Sequence, residues 1–265
     1  MPSYVVTGAA RGIGFEFVTQ LSASGANTVF GLVRNKAVAT ELNALSSSRK
    51  NITVLQADIT DVNALELAAN KVSEATGGKL DFLINNAAKS NHPGFTLDGF
   101  PSPEAVEYDL LDNFKTNTIG VVHTTNAFLP LLKNGSVKKV ISISSGISDL
   151  GLTLLGEIAA EPCYAISKAA LNMVVAKYAA QYRAEGFTFL AICPGLVSTS
   201  MAPTEETTPG EMKMLAPALP KVAPGFKGPI SPEESVRMQL EVVDRWTVDR
   251  SGEFVSHFGN RERWM

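Results

Sequence analysis

Tyr164 and Lys168 stand four residues apart in "YAISK". On a helix that spacing puts both side chains on one face. A lysine ammonium near a phenol favours the phenolate and draws its pKa, ordinarily about 10, toward neutral pH. Such a tyrosine can pass a proton to or from an alcohol or ketone oxygen. Ser145, in "SISSG" upstream, is the candidate to hold that oxygen while charge develops on it. Its neighbour Ser144 is the alternative, and alternation along the apolar run "VISIS" favours the second serine. A Tyr and a Lys at contact spacing also occur on ordinary exposed helices, so this pair needs company before it means chemistry.

A second constellation lies almost at the start of the chain. "TGAARGIG" places Gly8, Gly12 and Gly14 between a short apolar run and a segment with helical spacing. Gly8 suits a tight turn, Gly12 lets backbone approach a pyrophosphate, and Gly14 lets the helix pack close to a sheet. The helix N-terminus would offer free N–H groups and a positive dipole end to phosphates. A P-loop needs Gly-Lys-Ser/Thr where this chain has Gly-Ile-Gly, so that reading fails.

Positioning these groups falls to strands and helices that alternate along the chain. Strand-length apolar runs occur at Tyr4–Thr7, Thr28–Val33, Ile52–Gln56, Leu80–Asn85, Lys139–Ser144, Thr188–Cys193 and Glu253–His257. Helical spacing follows at Ile13–Ser22, Val62–Thr76, Pro103–Leu132, Tyr164–Glu185 and Pro232–Trp246, with Gly25 read as the cap closing the first helix. This alternation predicts an α/β fold, a Rossmann-type doubly wound parallel sheet of about seven strands in one domain spanning 1–265. Loops after the strands would share one edge, the usual binding edge. Residues 200–231, rich in proline and carrying Met201, Met212 and Met214, read as a substrate loop or lid over that edge.

In order and spacing these motifs resemble the short-chain dehydrogenase/reductase family over nearly the whole chain. "TGAARGIG" looks like its cofactor loop, which implies contacts at Gly8, Arg11, Gly12, Ile13 and Gly14. "ADI" resembles its adenine-side turn, with Asp58 and Ile59, and "NNAA" resembles its central segment, with Asn86 and Ala87 against the cofactor. "PGLVSTSM" resembles the nicotinamide segment, implicating Pro194, Gly195, Val197 and Thr199. Asn117 in "FKTNTIG", Ser145, Tyr164 and Lys168 match the family's catalytic tetrad, in which Asn117 would hold a water behind Lys168, and Lys168 would bind the nicotinamide ribose. The implied activity is hydride transfer between a nicotinamide and a carbonyl or alcohol.

Three departures accompany the match. Ala88 replaces a usual glycine, the stretch from Ser145 to Tyr164 is longer than in many members, and His257 in the last stretch reads as structural. The long stretch and the terminal "GEFVSHFGNRERW" are similar to carbonyl-reductase and sniffer-like members. Likeness to fungal ketoreductase-like members implies a bulky apolar carbonyl substrate, such as a polyketide or related secondary metabolite.

At the end of the second strand run Val33 is apolar and Arg34 follows, where an NAD site usually carries a carboxylate. A guanidinium there suits a 2′-phosphate, so NADP(H) is preferred over NAD(H) and reduction is the expected direction. Two other readings stay open: a non-redox dehydratase, isomerase or cyclase, and a regulatory dinucleotide-binding protein. An intact tetrad argues against the regulatory reading.

With 18% charged residues and a net charge of −3, no basic face toward nucleic acid is expected. Cys163 and Cys193 form no CxxC pair, so two reduced thiols and no metal site are expected. No apolar run is long enough to span a membrane, and the chain enters its first strand at once. The expectation is a cytoplasmic protein. The resemblance implies homo-oligomers, dimer or tetramer, although some sniffer-like members are monomeric, and both remain open.

Overall fold

The computed structural model describes residues 1–91, 94–199 and 215–265. Seven strands form one sheet: β1 (Ser3–Thr7), β2 (Thr28–Val33), β3 (Ile52–Gln56), β4 (Phe82–Asn85), β5 (Lys139–Ile143), β6 (Thr188–Cys193) and β7 (Phe254–Ser256). All pair in parallel, in the order β3-β2-β1-β4-β5-β6-β7. The order reverses between β1 and β4, which opens a crevice at the carboxyl ends of those two strands.

Strand alternation divides the core. Val5, Leu83, Val140 and Phe189 point to one face, where they meet Leu65 of α3 (Val62–Thr76), Phe128 of α5 (Gly120–Asn134) and Leu171 of α7 (Pro162–Tyr182). Their strand neighbours Val6, Ile84, Ile141 and Leu190 point to the other face. There they meet Phe17 of α1 (Gly12–Leu21), Leu42 of α2 (Thr40–Ser48) and Val242 of the last helix, α9 (Pro232–Arg245). Both faces of the central strands are covered, which is why these runs are largely apolar, while edge strand β3 leaves Thr53 and Gln56 exposed.

Several expectations shift. α1 is closed by Ser22, whose N–H reaches the carbonyls of Val18 and Gln20; Gly25 lies beyond it with open space around it. The expected helical stretch over 103–132 is one unbroken run, in which α4 (Pro103–Phe114) continues into α5 through a π turn at Lys115–Ile119. Three short helices lie outside the expected helical stretches: α2, α6 (Leu150–Gly156) in the long stretch before Tyr164, and α8 (Leu219–Val222). α6 is capped by Asp149 Oδ1, which accepts from Leu152 N at 3.0 Å. Of the expected lid, residues 200–214, including Met201, Met212 and Met214, lie outside the described residues. Its described part carries α8 (Leu219–Val222) and a bridge between Val197 and Ile230.

Candidate active site

The glycine loop sits where β1 runs into α1, and two of its glycines are demanded by contact. A Cβ on Gly14 would fall 2.3 Å from the Gly8 carbonyl oxygen and 2.4 Å from Asn86 Nδ2. Gly8 has φ +66°, and a Cβ there would fall 2.8 Å from Ala87 Cα. Gly12 is different: its backbone is left-handed at φ +57°, and a Cβ there would meet Thr199 Cγ2 at 3.5 Å, an ordinary contact. Thr7 and Asn86 lock this arrangement. Thr7 Oγ1 accepts from the N–H groups of Asn86 and Ala87, both at 3.0 Å, and Asn86 Nδ2 donates to Thr7 O at 2.9 Å. Asn86 therefore shapes the cradle with its amide.

The N-terminus of α1 has no side-chain cap; its N-cap is the exposed Arg11, and no acidic residue lies in its first turn. The first N–H groups of such a helix have no carbonyl partner within it, and Gly12 and Ile13 bring backbone to that end. Arg34, exposed, stands at the carboxyl end of β2 directly after buried Val33. Asp58 makes a local turn, accepting from Thr60 N at 2.9 Å and Thr60 Oγ1 at 2.8 Å, with Ile59 buried beside it.

The other wall comes from β5, β6 and α7. Ser145 and Tyr164, each half-buried, line one cleft with Ile13 and Thr199. Pro194, Gly195 and Val197 line the same cleft, with Ile147, Ile158 and Leu196 as apolar wall. Ser144 also reaches it, but its hydroxyl donates to Asn172 Oδ1 at 2.7 Å and its residue is buried. Asn172 in turn donates to Ser148 Oγ at 2.9 Å. The tie to Asn172 occupies Ser144 and leaves Ser145 the better placed hydroxyl.

Lys168 lies under this surface, 2% exposed, with Nζ donating to the Ile143 carbonyl at 2.7 Å and 5.6 Å from the Tyr164 ring centroid. Burial pushes its pKa down to about 7. An ammonium so poorly solvated gains from any nearby anion, and a phenolate is one.

Asn117, in the π turn, is fully buried. Its Oδ1 accepts from Lys89 N at 2.8 Å; its Nδ2 donates to Lys89 O at 2.8 Å and Ser167 Oγ at 2.9 Å. The side chain thus clamps the loop after β4 onto α7. Ser167 was missed in the sequence, because its partner lies 50 residues away. His257 was read as structural, and its ring packs under Gly195, where a Cβ would come within 2.6 Å of Cε1. Burial and the charge of Arg263 lower its pKa to about 4, keeping it neutral. Among the described residues no cluster of metal-ligating side chains is present, and no helix is long and apolar enough to cross a membrane.

A family model for the short chain dehydrogenase matches residues 3–210, and the chain belongs to that family. It is 44% identical over its whole length to the short chain dehydrogenase virK of Hypocrea virens, also covered in full. It is 46% identical to the short-chain dehydrogenase/reductase AacuF of Aspergillus aculeatus, each chain covered completely. Among solved structures, the NADPH-bound carbonyl reductase from chicken fatty liver matches with a TM-score of 0.80 at 30% identity, covering 100% of this chain and 99% of that one.

Proposed function

We propose that this protein is an NADP(H)-dependent oxidoreductase that reduces the carbonyl of a bulky, apolar substrate to an alcohol. The observation that carries the reading is one cleft lined by both Tyr164 and Ser145, with Lys168 buried at its base and the uncapped end of α1 at its rim. The left-handed glycine at position 12 and the uncapped helix end fit a dinucleotide pyrophosphate. Arg34 fits the 2′-phosphate, with Arg11 adding charge. Asp58 and Ile59 would border the adenine, and Pro194, Gly195, Val197 and Thr199 the nicotinamide. The carbonyl reductase with NADPH bound supports the same choice of cofactor.

When bound, the nicotinamide supplies the hydride. Ser145 donates a hydrogen bond to the carbonyl oxygen and holds it within reach of Tyr164. Tyr164 gives its proton to that oxygen as negative charge builds there. Lys168 stabilises the resulting phenolate and binds the cofactor ribose. Asn117 keeps the loop after β4 and Ser167 of α7 in register. Apolar side chains at Ile147, Ile158 and Leu196 favour a poorly charged substrate, in line with a polyketide-type or related ketone of secondary metabolism.

The test is oxidation of NADPH and NADH by the purified protein across bulky ketones, quinones and aldehydes, with Tyr164→Phe alongside. Turnover with NADPH, weak with NADH, and a fall of about 10²–10⁴-fold in the variant with NADPH affinity kept is the expected result. Tight NADPH binding without oxidation of any carbonyl would favour a non-redox enzyme instead.

A further inference from the structure

Cys163 directly precedes Tyr164, and the reaction described above does not use it. Its thiol is 2% exposed and hydrogen-bonds the carboxylate of Asp109 on α4, itself 2% exposed. Burial first, then that hydrogen bond and charge, push the thiol up to about 12, so it stays protonated and remains a donor.

Asp109 gathers more than one partner. Asn91 Nδ2 donates to its Oδ1 at 2.8 Å, and Asn113 Nδ2 donates to its side chain at 3.3 Å and its backbone carbonyl at 2.9 Å. Asn113 Oδ1 in turn accepts from Asn117 Nδ2 at 3.5 Å. Asn91 also donates to Asp112 Oδ2 at 2.7 Å, and Asp112 is ion-paired with Lys89. Lys89 is the residue whose backbone Asn117 clamps. One carboxylate therefore joins three pieces of chain: the loop after β4, the helix that carries Asn117, and the first turn of α7.

That first turn needs an anchor. α7 starts at Pro162 behind Glu161, a non-glycine residue at φ +54°, and no side chain caps it. A helix entered through a left-handed residue and lacking a cap is held in place by its packing. A buried carboxylate, for its part, persists only where donors surround it.

We propose that Asp109 is a positioning residue for Tyr164: through the Cys163 thiol it fixes the start of α7 against Asn117 and the loop after β4. This rests on the assignment of Tyr164 as proton donor. Asp109 touches neither substrate nor cofactor in this role. Its effect is on the distance and angle at which the phenol meets the carbonyl, and small displacements there are costly to rate.

Asp109→Asn, Cys163→Ala and Cys163→Ser in the full chain test it by two independent readouts. In Asp109→Asn, kcat for NADPH-dependent ketone reduction should fall about tenfold or more while KM for NADPH stays within about threefold. Cys163→Ala should fall likewise, and Cys163→Ser, which keeps a donor, should recover most of that loss. The second readout is labelling by a thiol-directed disulfide reagent. Cys163 should react about tenfold faster in Asp109→Asn, while Cys193, buried behind the end of β6, stays as protected as in the wild type. Unchanged kcat in Asp109→Asn overturns the proposal, as does equal exposure of both thiols with kcat and KM lost together. If the wild type reduces no ketone, the functional reading fails. Selective labelling of Cys163 then still decides whether Asp109 holds the turn.

Discussion

α1 and α9 pack against each other on one face of the sheet, and Gln20 in α1 donates to the Glu233 carbonyl in the first turn of α9 at 2.9 Å. Their N-termini carry opposite chemistry. At α9, Ser231 Oγ accepts from Glu234 N at 3.1 Å, Pro232 takes the first position, and Glu233 and Glu234 lie in the first turn. At α1 there is no cap, no acid, and an arginine at the N-cap. The chain knows how to close a helix end, and does so again with Asp61 at α3 and Ser102 at α4. Leaving α1 open sacrifices a little stability and, on the function proposed above, reserves its N–H groups and dipole for the phosphates of the cofactor.

The largest break in this contrast should come from Gly14→Ala, since the new methyl would collide with the Gly8 carbonyl and Asn86. The helix must move away from the loop, with a loss of about 2–3 kcal/mol in stability and of measurable NADPH binding. Urea unfolding and fluorescence titration with NADPH would read both. Arg11→Asp inverts the contrast by giving α1 the cap and acid it lacks. The apoprotein should gain about 0.5–1 kcal/mol. NADPH affinity should fall about tenfold or more, because the new carboxylate competes with the pyrophosphate. A variant that is no more stable yet binds as before would remove the reason offered for the open end.

Smaller effects sharpen the picture. Arg34→Ala should weaken NADPH by about tenfold and leave NADH nearly unchanged, closing the gap between the two in paired titrations. Equal loss for both would assign Arg34 to general electrostatics. Ser231→Ala should cost about 1 kcal/mol in urea unfolding and leave NADPH affinity untouched, since the capped end holds no ligand.

Much of the site was legible because its parts are local. The spacing of Gly8, Gly12 and Gly14 after an apolar run, and of Tyr164 and Lys168 on one helix, are short-range facts that backbone geometry converts directly into shape. The preference for Ser145 over Ser144 rests on strand alternation, yet Val140 to Ser144 are all buried, so alternation alone does not separate the two serines. Gly25 misled because glycine marks a helix end only where a left-handed turn is needed, and Ser22 closes α1 without one. α6 was hidden because a seven-residue helix of leucines and glycines, capped by one aspartate, has too little length to show a period. The commitment of Asn117 to Lys89 and Ser167 could not be read at all.

By itself the sequence determined the parallel α/β architecture, the glycine turn between β1 and α1 and the Tyr–Lys face, because periodicity, glycine conformation and helical spacing act within a few residues. Only the tertiary structure decided which groups share a space. It put Tyr164 and Ser145 in one cleft, buried Lys168 against the Ile143 carbonyl, and brought Asp109 beside Cys163. Those pairings join residues far apart in sequence, and they exist because the sheet order reverses between β1 and β4 and close packing on its two faces brings distant segments together.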